Sequence, residues 1–159
     1  MNEHRLLQTL ADRGLTIGSV ESITAGLFAS CLASIPGASA VLKGALVTYV
    51  AEEKIALAGV GKSTIDHYGV VSPEVAAEMA IGGKRKLGVD MCISCTGNAG
   101  PTVEKGDKPV GCVYLGLAYK DLVYTAPLQL EGDRNSIREQ VAEAMVAFGL
   151  SLFPEENDQ

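Results

Sequence analysis

The stretch Leu15-Thr16-Ile17-Gly18-Ser19-Val20-Glu21-Ser22-Ile23-Thr24-Ala25-Gly26-Leu27-Phe28-Ala29-Ser30-Cys31-Leu32-Ala33-Ser34 decides the fold. Residues 15–21 are short and carry β-branched side chains, the composition of a buried strand. Ser22-Ile23-Thr24 then reads as a sharp turn, and the small apolar residues from Ala25 to Ser34 read as a helix that Pro36-Gly37 stops. The unit repeats at once. Gly44-Ala45-Leu46-Val47-Thr48-Tyr49-Val50 is a second apolar strand that runs directly into the helical segment Glu52–Gly59, whose first turn carries acids against the positive helix end. Strands that alternate with helices imply parallel strands joined by right-handed crossovers, with helices on both faces of the sheet.

Working outward, Leu6, Leu7, Leu10 and Ala11 form one stripe of a helix over residues 3–12 that ends at Gly14. Ser72-Pro73-Glu74 combines an N-cap serine, a proline at the first helical position and an acid in the first turn, so a helix is predicted from Pro73 to Leu87, ending at Gly88. A strand over Val89–Cys95 follows and ends in the glycine-rich loop Thr96-Gly97-Asn98-Ala99-Gly100-Pro101. The segment Asp66-His67-Tyr68-Gly69 reads as a turn. Val110–Tyr119 and Leu122–Leu130, separated by Lys120-Asp121, predict a hairpin, which makes the sheet mixed. A last helix starts near Asp133 and places Ile137, Val141, Ala144, Met145, Phe148 and Leu152 at helical intervals, and a frayed acidic tail is expected at 154–159. The expected architecture is a single domain spanning 1–159, a three-layer α/β/α fold around a mixed, mostly parallel sheet of about five strands.

Composition agrees with such a domain. The chain has 159 residues, 47% of them hydrophobic and 20% charged, which is enough apolar surface to offset the entropy of ordering. Nineteen acids against thirteen bases give a formal charge of −6, so nucleic acid is not expected as a partner. No apolar run is long enough for a membrane span and Met1-Asn2-Glu3-His4-Arg5 opens no secretion signal, so the expected location is the cytoplasm. Cys92 and Cys95 have C-x-x-C spacing but fall on one strand, where residues three apart point to opposite faces. The four cysteines, Cys31, Cys92, Cys95 and Cys112, are therefore read as reduced thiols, and no metal is expected.

In open α/β sheets the ligand site lies beyond the carboxyl ends of the parallel strands. Three segments end a strand there: Glu21-Ser22, Tyr49-Val50 and Cys95-Thr96. Ser22 sits at a strand-to-helix turn, where the amides of Thr24, Ala25 and Gly26 are expected to be free and outward-facing, suited to an oxyanion or a phosphate. It lacks the G-x-S-x-G setting of a lipase-type elbow. Tyr49 ends its strand and Lys54 lies in the next helical turn, so their heads are expected to meet over the strand end. A lysine made neutral by burial could serve as the base for a serine nucleophile. His4 and His67 have no evident serine partner. Arg134, beside the predicted N-cap Asp133, is a candidate anion clamp.

These residues carry a resemblance. The ordered set Glu21-Ser22-Ile23-Thr24-Ala25-Gly26, Pro36-Gly37-Ala38-Ser39, Val47-Thr48-Tyr49 with Lys54, Gly69-Val70-Val71-Ser72, Thr96-Gly97-Asn98-Ala99-Gly100-Pro101, Lys108-Pro109-Val110-Gly111 and Gly132-Asp133-Arg134 resembles the C-terminal domain family of the competence-damage-inducible protein CinA, over residues 3 to 153. That family includes stand-alone nicotinamide-nucleotide amidohydrolases.

The resemblance implies hydrolysis of the carboxamide of nicotinamide mononucleotide to nicotinate mononucleotide and ammonia, without a cofactor. It puts Ser22, Tyr49 and Lys54 in the catalytic roles, with Ser22 attacking and Lys54 taking its proton directly or through Tyr49. Amides near Thr24 and Ala25 would hold the oxyanion. Thr24, Ala25, Gly26, Thr96, Gly97, Asn98, Gly100 and Arg134 are the expected substrate-binding residues, the loop and Arg134 holding the ribose phosphate, and a homodimer is expected. The chain departs from the family where two glycines usually follow the threonine and Ala25-Gly26 stands here. It departs again at Thr102-Val103-Glu104-Lys105-Gly106-Asp107, usually a glycine-rich run, and at Asn98, commonly apolar. These departures motivate the alternative, a non-catalytic module that binds a nucleotide or a protein.

Overall fold

Ser72 caps its helix as the sequence predicts, its Oγ accepting from the Val75 amide at 3.2 Å, and the helix runs from Pro73 to Leu87 before Gly88 closes it in a left-handed conformation. The same local signals hold along the computed structural model, which describes residues 2–155. In chain order the elements are α1 (Asn2–Asp12), β1 (Ile17–Glu21), α2 (Leu27–Ala33), β2 (Leu42–Val47), α3 (Ala51–Ala58), α4 (Lys62–Tyr68), α5 (Pro73–Leu87), β3 (Met91–Gly97), β4 (Cys112–Tyr119), β5 (Leu122–Gln129) and α6 (Arg134–Leu150). A short 3₁₀ turn at Ala38–Ala40 precedes β2.

The five strands form one mixed sheet in the order β2-β1-β3-β4-β5. β1 pairs in parallel with β2 and β3, while β4 runs antiparallel to both β3 and β5, so β4 alone opposes the other four. One face is covered by α5, with α3 and α4 packed on it, and the other by α1, α2 and α6. Glycines let α5 approach closely: a Cβ at Gly83 would sit 2.2 Å from Val20 Cγ2, and one at Gly116 would sit 2.2 Å from the Ala76 carbonyl oxygen. Cys92 packs with Val20, Val75 and Met79 on the α5 side, and Cys95 lies in the core on the other side, as strand alternation requires.

Several boundaries differ from the sequence reading: β2 is Leu42–Val47, so Tyr49 and Val50 lie beyond it because pairing with β1 stops at Glu21 opposite Val47, and β3 and β4 each start two residues later than read, at Met91 and Cys112. α2 begins at Leu27, not Ala25, because Ala25 and Gly26 both adopt left-handed backbone, with φ of +48° and +99°. β3 runs on to Gly97 because β4 pairs with it along that length, Gly97 lying opposite Val113. Residues 66–68, read as part of a turn, instead belong to the last turn of α4, which Gly69 ends and which contains no fully buried residue and so shows no apolar period. α4 is fastened from outside by the Gly61 amide donating to Glu78 Oε1 at 2.9 Å, and carries its own i,i+4 ion pair, Lys62–Asp66, at 2.7 Å. Of the acidic tail expected at 154–159, Glu155 pairs with Arg5 at 3.0 Å and residues 156–159 lie outside the described residues.

Candidate active site

The carboxyl ends of β2, β1 and β3 lie side by side, with Glu21 opposite Val47 on one flank and Cys95 on the other. The alignment continues one residue beyond the strands. The Thr48 amide donates to the Glu21 carbonyl at 2.8 Å and the Ser22 amide to the Cys95 carbonyl at 3.3 Å, which sets Ser22 between Thr48 and Thr96.

Lys54, in the first turn of α3, is 0% exposed and points into this row. Its Nζ donates to the Thr48 carbonyl at 2.8 Å and lies 3.0 Å from Ser22 Oγ. No ion pair with Lys54 occurs among the described residues. Burial therefore destabilises the ammonium and lowers its pKa from 10.5 to about 8, against a weak opposing pull from Cys95. An amine in that state presents a lone pair to a serine hydroxyl near neutral pH, the arrangement that activates a nucleophile. Thr48 Oγ1, buried beside this contact, makes no hydrogen bond.

Glu21 is the residue whose place the sequence reading did not assign. Its carboxylate is wholly buried and accepts four hydrogen bonds, from Ser19 Oγ (2.8 Å), Thr24 Oγ1 (2.7 Å), Phe28 N (2.9 Å) and Ala29 N (3.1 Å). It thus occupies the start of α2, where an anion is favoured by the helix dipole. The signal was present in the sequence: Ser19 and Glu21 share one face of a strand otherwise apolar enough to be fully buried, and two polar groups there must satisfy each other.

This narrows the expectation of free amides at Thr24, Ala25 and Gly26. Glu21 binds the amides of Phe28 and Ala29, the Ala25 amide donates to the Ser22 carbonyl at 3.0 Å, and the Thr24 amide faces the buried Cys95 thiol. The Thr24 side chain is likewise buried, held between Glu21 and Cys95 Sγ (3.2 Å), and does not reach solvent. Ala25 is exposed and Gly26 half-buried. Tyr49 is also placed differently from the sequence reading. Its hydroxyl accepts from Arg134 Nη2 at 2.6 Å, and among the described residues it bonds to neither Lys54 nor Ser22.

Arg134 spans the mouth of the site, since its Nη1 also donates to the Gly100 carbonyl at 2.7 Å. Asn98 shapes that loop, accepting from the Gly100 amide at 3.2 Å and donating to the Lys108 carbonyl at 3.2 Å. A cleft of about 630 Å³ opens there, with Tyr49, Tyr68, Val70, Gly97, Asn98 and Lys108 among its walls. Ser22 and Lys54 are not among its lining residues: both are buried, Ser22 just after β1, between the strands that lead to Tyr49 and to Gly97. Thr96 contributes as a fastening, its Oγ1 donating to the Val70 carbonyl at 2.9 Å. The atypical loop Thr102–Asp107 forms the outer wall of the same cleft.

The family model of the CinA C-terminal domain matches residues 2–152. The chain belongs to the CinA C-terminal domain family. A competence-damage inducible protein of Levilactobacillus brevis is 48% identical over 136 residues, which is 85% of this chain and 32% of that protein. A second, from Halothermothrix orenii, is 48% identical over 130 residues, 81% of this chain and 32% of that protein. The chain therefore spans about a third of the length of these relatives. Among solved structures, a competence/damage inducible protein of Agrobacterium tumefaciens superposes with a TM-score of 0.92 at 30% identity, over 96% of this chain and 94% of that one. A CinA superfamily protein of Escherichia coli also superposes at 0.92, with 28% identity, over 96% of this chain and 88% of that one. No helix among the described residues is long and apolar enough to cross a membrane.

Proposed function

We propose that this CinA domain hydrolyses the carboxamide of nicotinamide mononucleotide, with Ser22 as nucleophile and Lys54 as base. The observation that carries this reading is the 3.0 Å contact between Ser22 Oγ and a buried lysine whose pKa falls to about 8. Ser22 Oγ bonds to the amide carbon as its proton passes to the neutral Nζ, and the carbonyl electrons move to oxygen. Collapse of that oxyanion breaks the C–N bond, and Nζ returns the proton so that ammonia leaves. Water then attacks the acyl ester and gives one proton to Nζ, which passes it to Ser22 Oγ as the ester C–O bond breaks; the carboxylic acid so formed loses its remaining proton to the released ammonia and departs as nicotinate mononucleotide.

Tyr49 acts here through Arg134, not as a relay. Arg134 uses two of its five N–H groups on Gly100 and Tyr49, which leaves others for the ribose phosphate. Two further readings accompany this one. A second copy pairing along the free edge of β2 is supported by Val47, Tyr49 and Val50, which are 44%, 53% and 50% exposed beside that edge. Four free thiols and a net charge of −6 support a cytoplasmic enzyme acting on a small nucleotide and not on nucleic acid.

The test is ammonia release from nicotinamide mononucleotide, with free nicotinamide in parallel and with Ser22→Ala. Turnover of the mononucleotide, lost by a factor of about 10³ or more in the variant, supports the reading. Full turnover by Ser22→Ala would sink the mechanism. A folded wild type that binds the mononucleotide without releasing ammonia would instead favour a non-catalytic binding module.

A further inference from the structure

One helical turn after Arg134, a second arginine reaches the nucleophile from behind. Arg138 Nε donates to the Ile23 carbonyl at 3.1 Å and its Nη2 to the Thr24 carbonyl at 3.1 Å, across more than a hundred residues of chain. Its Nη1 donates to Asn135 Oδ1 at 3.1 Å, which holds the guanidinium plane. The start of α6 is itself fixed, because Asp133 Oδ1 accepts from the Ser136 amide at 2.8 Å.

The segment gripped in this way has little regular structure of its own. Residues 22–26 follow no helical ladder, and Ala25 and Gly26 both carry positive φ. A trans peptide unit carries its C=O and N–H on opposite sides of one plane. A guanidinium that fixes the Ile23 carbonyl therefore fixes the direction of the Thr24 N–H, and one that fixes the Thr24 carbonyl fixes that of Ala25. The Ala25 N–H is used within the turn, on the Ser22 carbonyl at 3.0 Å. The Thr24 N–H is turned to the side opposite Arg138, toward the buried Cys95 thiol. Two divergent carbonyls suit the rigid fork of an arginine and not the single head of a lysine.

We propose that Arg138 is a positioning residue for catalysis: by locking the peptide planes on either side of Thr24, it holds Ser22 Oγ against Lys54. It does not touch substrate. The turn is then clamped from two sides, by the Glu21 carboxylate on the amides of α2 and by Arg138 on the carbonyls before it. This inference rests on Ser22 being the nucleophile, so its test needs a readout independent of the natural substrate.

The experiment compares wild type, Arg138→Lys and Arg138→Gln in three measurements. Thermal melting identifies which variants are folded, and if Arg138→Gln is not, Arg138→Lys carries the test because it keeps the charge and the stem. Steady-state ammonia release from nicotinamide mononucleotide then separates kcat from KM. The third measurement is the rate of Ser22 phosphonylation by a fluorophosphonate, in which the Oγ–P bond forms, the P–F bond breaks with loss of fluoride, and the proton goes to Lys54. The expected result is a fall of about 10²-fold in kcat, the size of an ångström-scale misplacement of the reacting group, with KM within about threefold. Phosphonylation should slow by a similar factor, and added guanidinium ion should restore part of it in Arg138→Gln. Folded variants that keep kcat and phosphonylation within about twofold of wild type would overturn the proposal and leave Arg138 as a tie between α6 and the sheet. A wild type that is phosphonylated on Ser22 but inert toward the mononucleotide would sink the substrate assignment alone, and the variants' labelling rates would then decide the role of Arg138. Failure of Ser22 to label in the wild type would overturn both.

Discussion

Replacing Lys54 with methionine should make the protein more stable and inactive. The side chain is wholly buried, and its pKa falls from 10.5 to about 8 through desolvation. That fall corresponds to about 3 kcal/mol borne by the folded state whenever the lysine is charged in both states. The sign follows from proton counting. Between pH 8 and 10.5 the unfolded chain holds more protons at this site than the folded one, so stability rises with pH there, and below pH 8 the full penalty applies. Methionine has a similar volume and no charge to desolvate. It leaves the Thr48 carbonyl and Ser22 Oγ without their donor, at about 1 kcal/mol each, so the net gain at pH 7 is about 1 to 2 kcal/mol, or roughly 3 to 6 °C in Tm. Urea denaturation of both proteins at pH 7 and pH 9.5 tests this. Wild type should recover about 2 kcal/mol relative to Lys54→Met over that interval, whatever other groups titrate in common. If the variant is the less stable at pH 7 and the gap does not move with pH, the lysine is not held near neutrality and its role as a base fails with it.

Three shorter expectations follow from the same geometry. With a base pKa of about 8, the neutral fraction at pH 7 is about 9%, against about 0.03% for a solvated lysine, so kcat/KM for amide hydrolysis should rise about tenfold per pH unit below pH 7 and level off above about 9; a flat or falling profile between pH 6 and 9 contradicts this. Tyr49→Phe removes the acceptor of Arg134 and not a proton relay, so KM should rise about threefold to tenfold while kcat stays within about threefold, whereas a hundredfold loss of kcat would restore the relay. Ala25→Gly relieves a left-handed alanine at φ +48°, and denaturant midpoints should show a gain of up to about 1 kcal/mol; a loss would mean the methyl makes a contact worth more than the strain.

The sequence was most legible where the governing interaction is local. The Ser72-Pro73 start and Gly88 stop of α5 are read from neighbours a few residues apart, and both ends fall where those signals put them. The hairpin of β4 and β5 and the placement of Cys92 and Cys95 on opposite faces follow from period-two alternation, which is equally local. That Ser22 and Thr96 lie at neighbouring strand ends was accessible too, because strand ends in parallel sheets converge, but the third end was read at Tyr49-Val50 and β2 stops at Val47, which puts Thr48 in that place. What stayed hidden was settled by partners far away in sequence. α4 has no apolar stripe and is secured by Glu78 and by its own ion pair. Tyr49 was expected to face Lys54, five residues on, but an arginine 85 residues distant offered its hydroxyl a charged donor, and a charge-assisted bond outcompetes a neutral one.

The turn at Ser22 shows the same division within a few residues. Its backbone bends because Ala25 and Gly26 leave the right-handed region, and a single glycine in the sequence hints at that. Its rigidity comes from two charges, Glu21 collecting amides ahead of it and Arg138 collecting carbonyls from α6, and only the first has a local signal, the strand face it shares with Ser19. A helix start is an attractive site for an anion, and the sequence suggests a substrate group would fill it. The protein fills it with its own carboxylate instead, which fixes the turn that carries Ser22. The direction of Ser22 therefore rests on the turn's own peptide planes, which Glu21 holds on one side and Arg138 on the other.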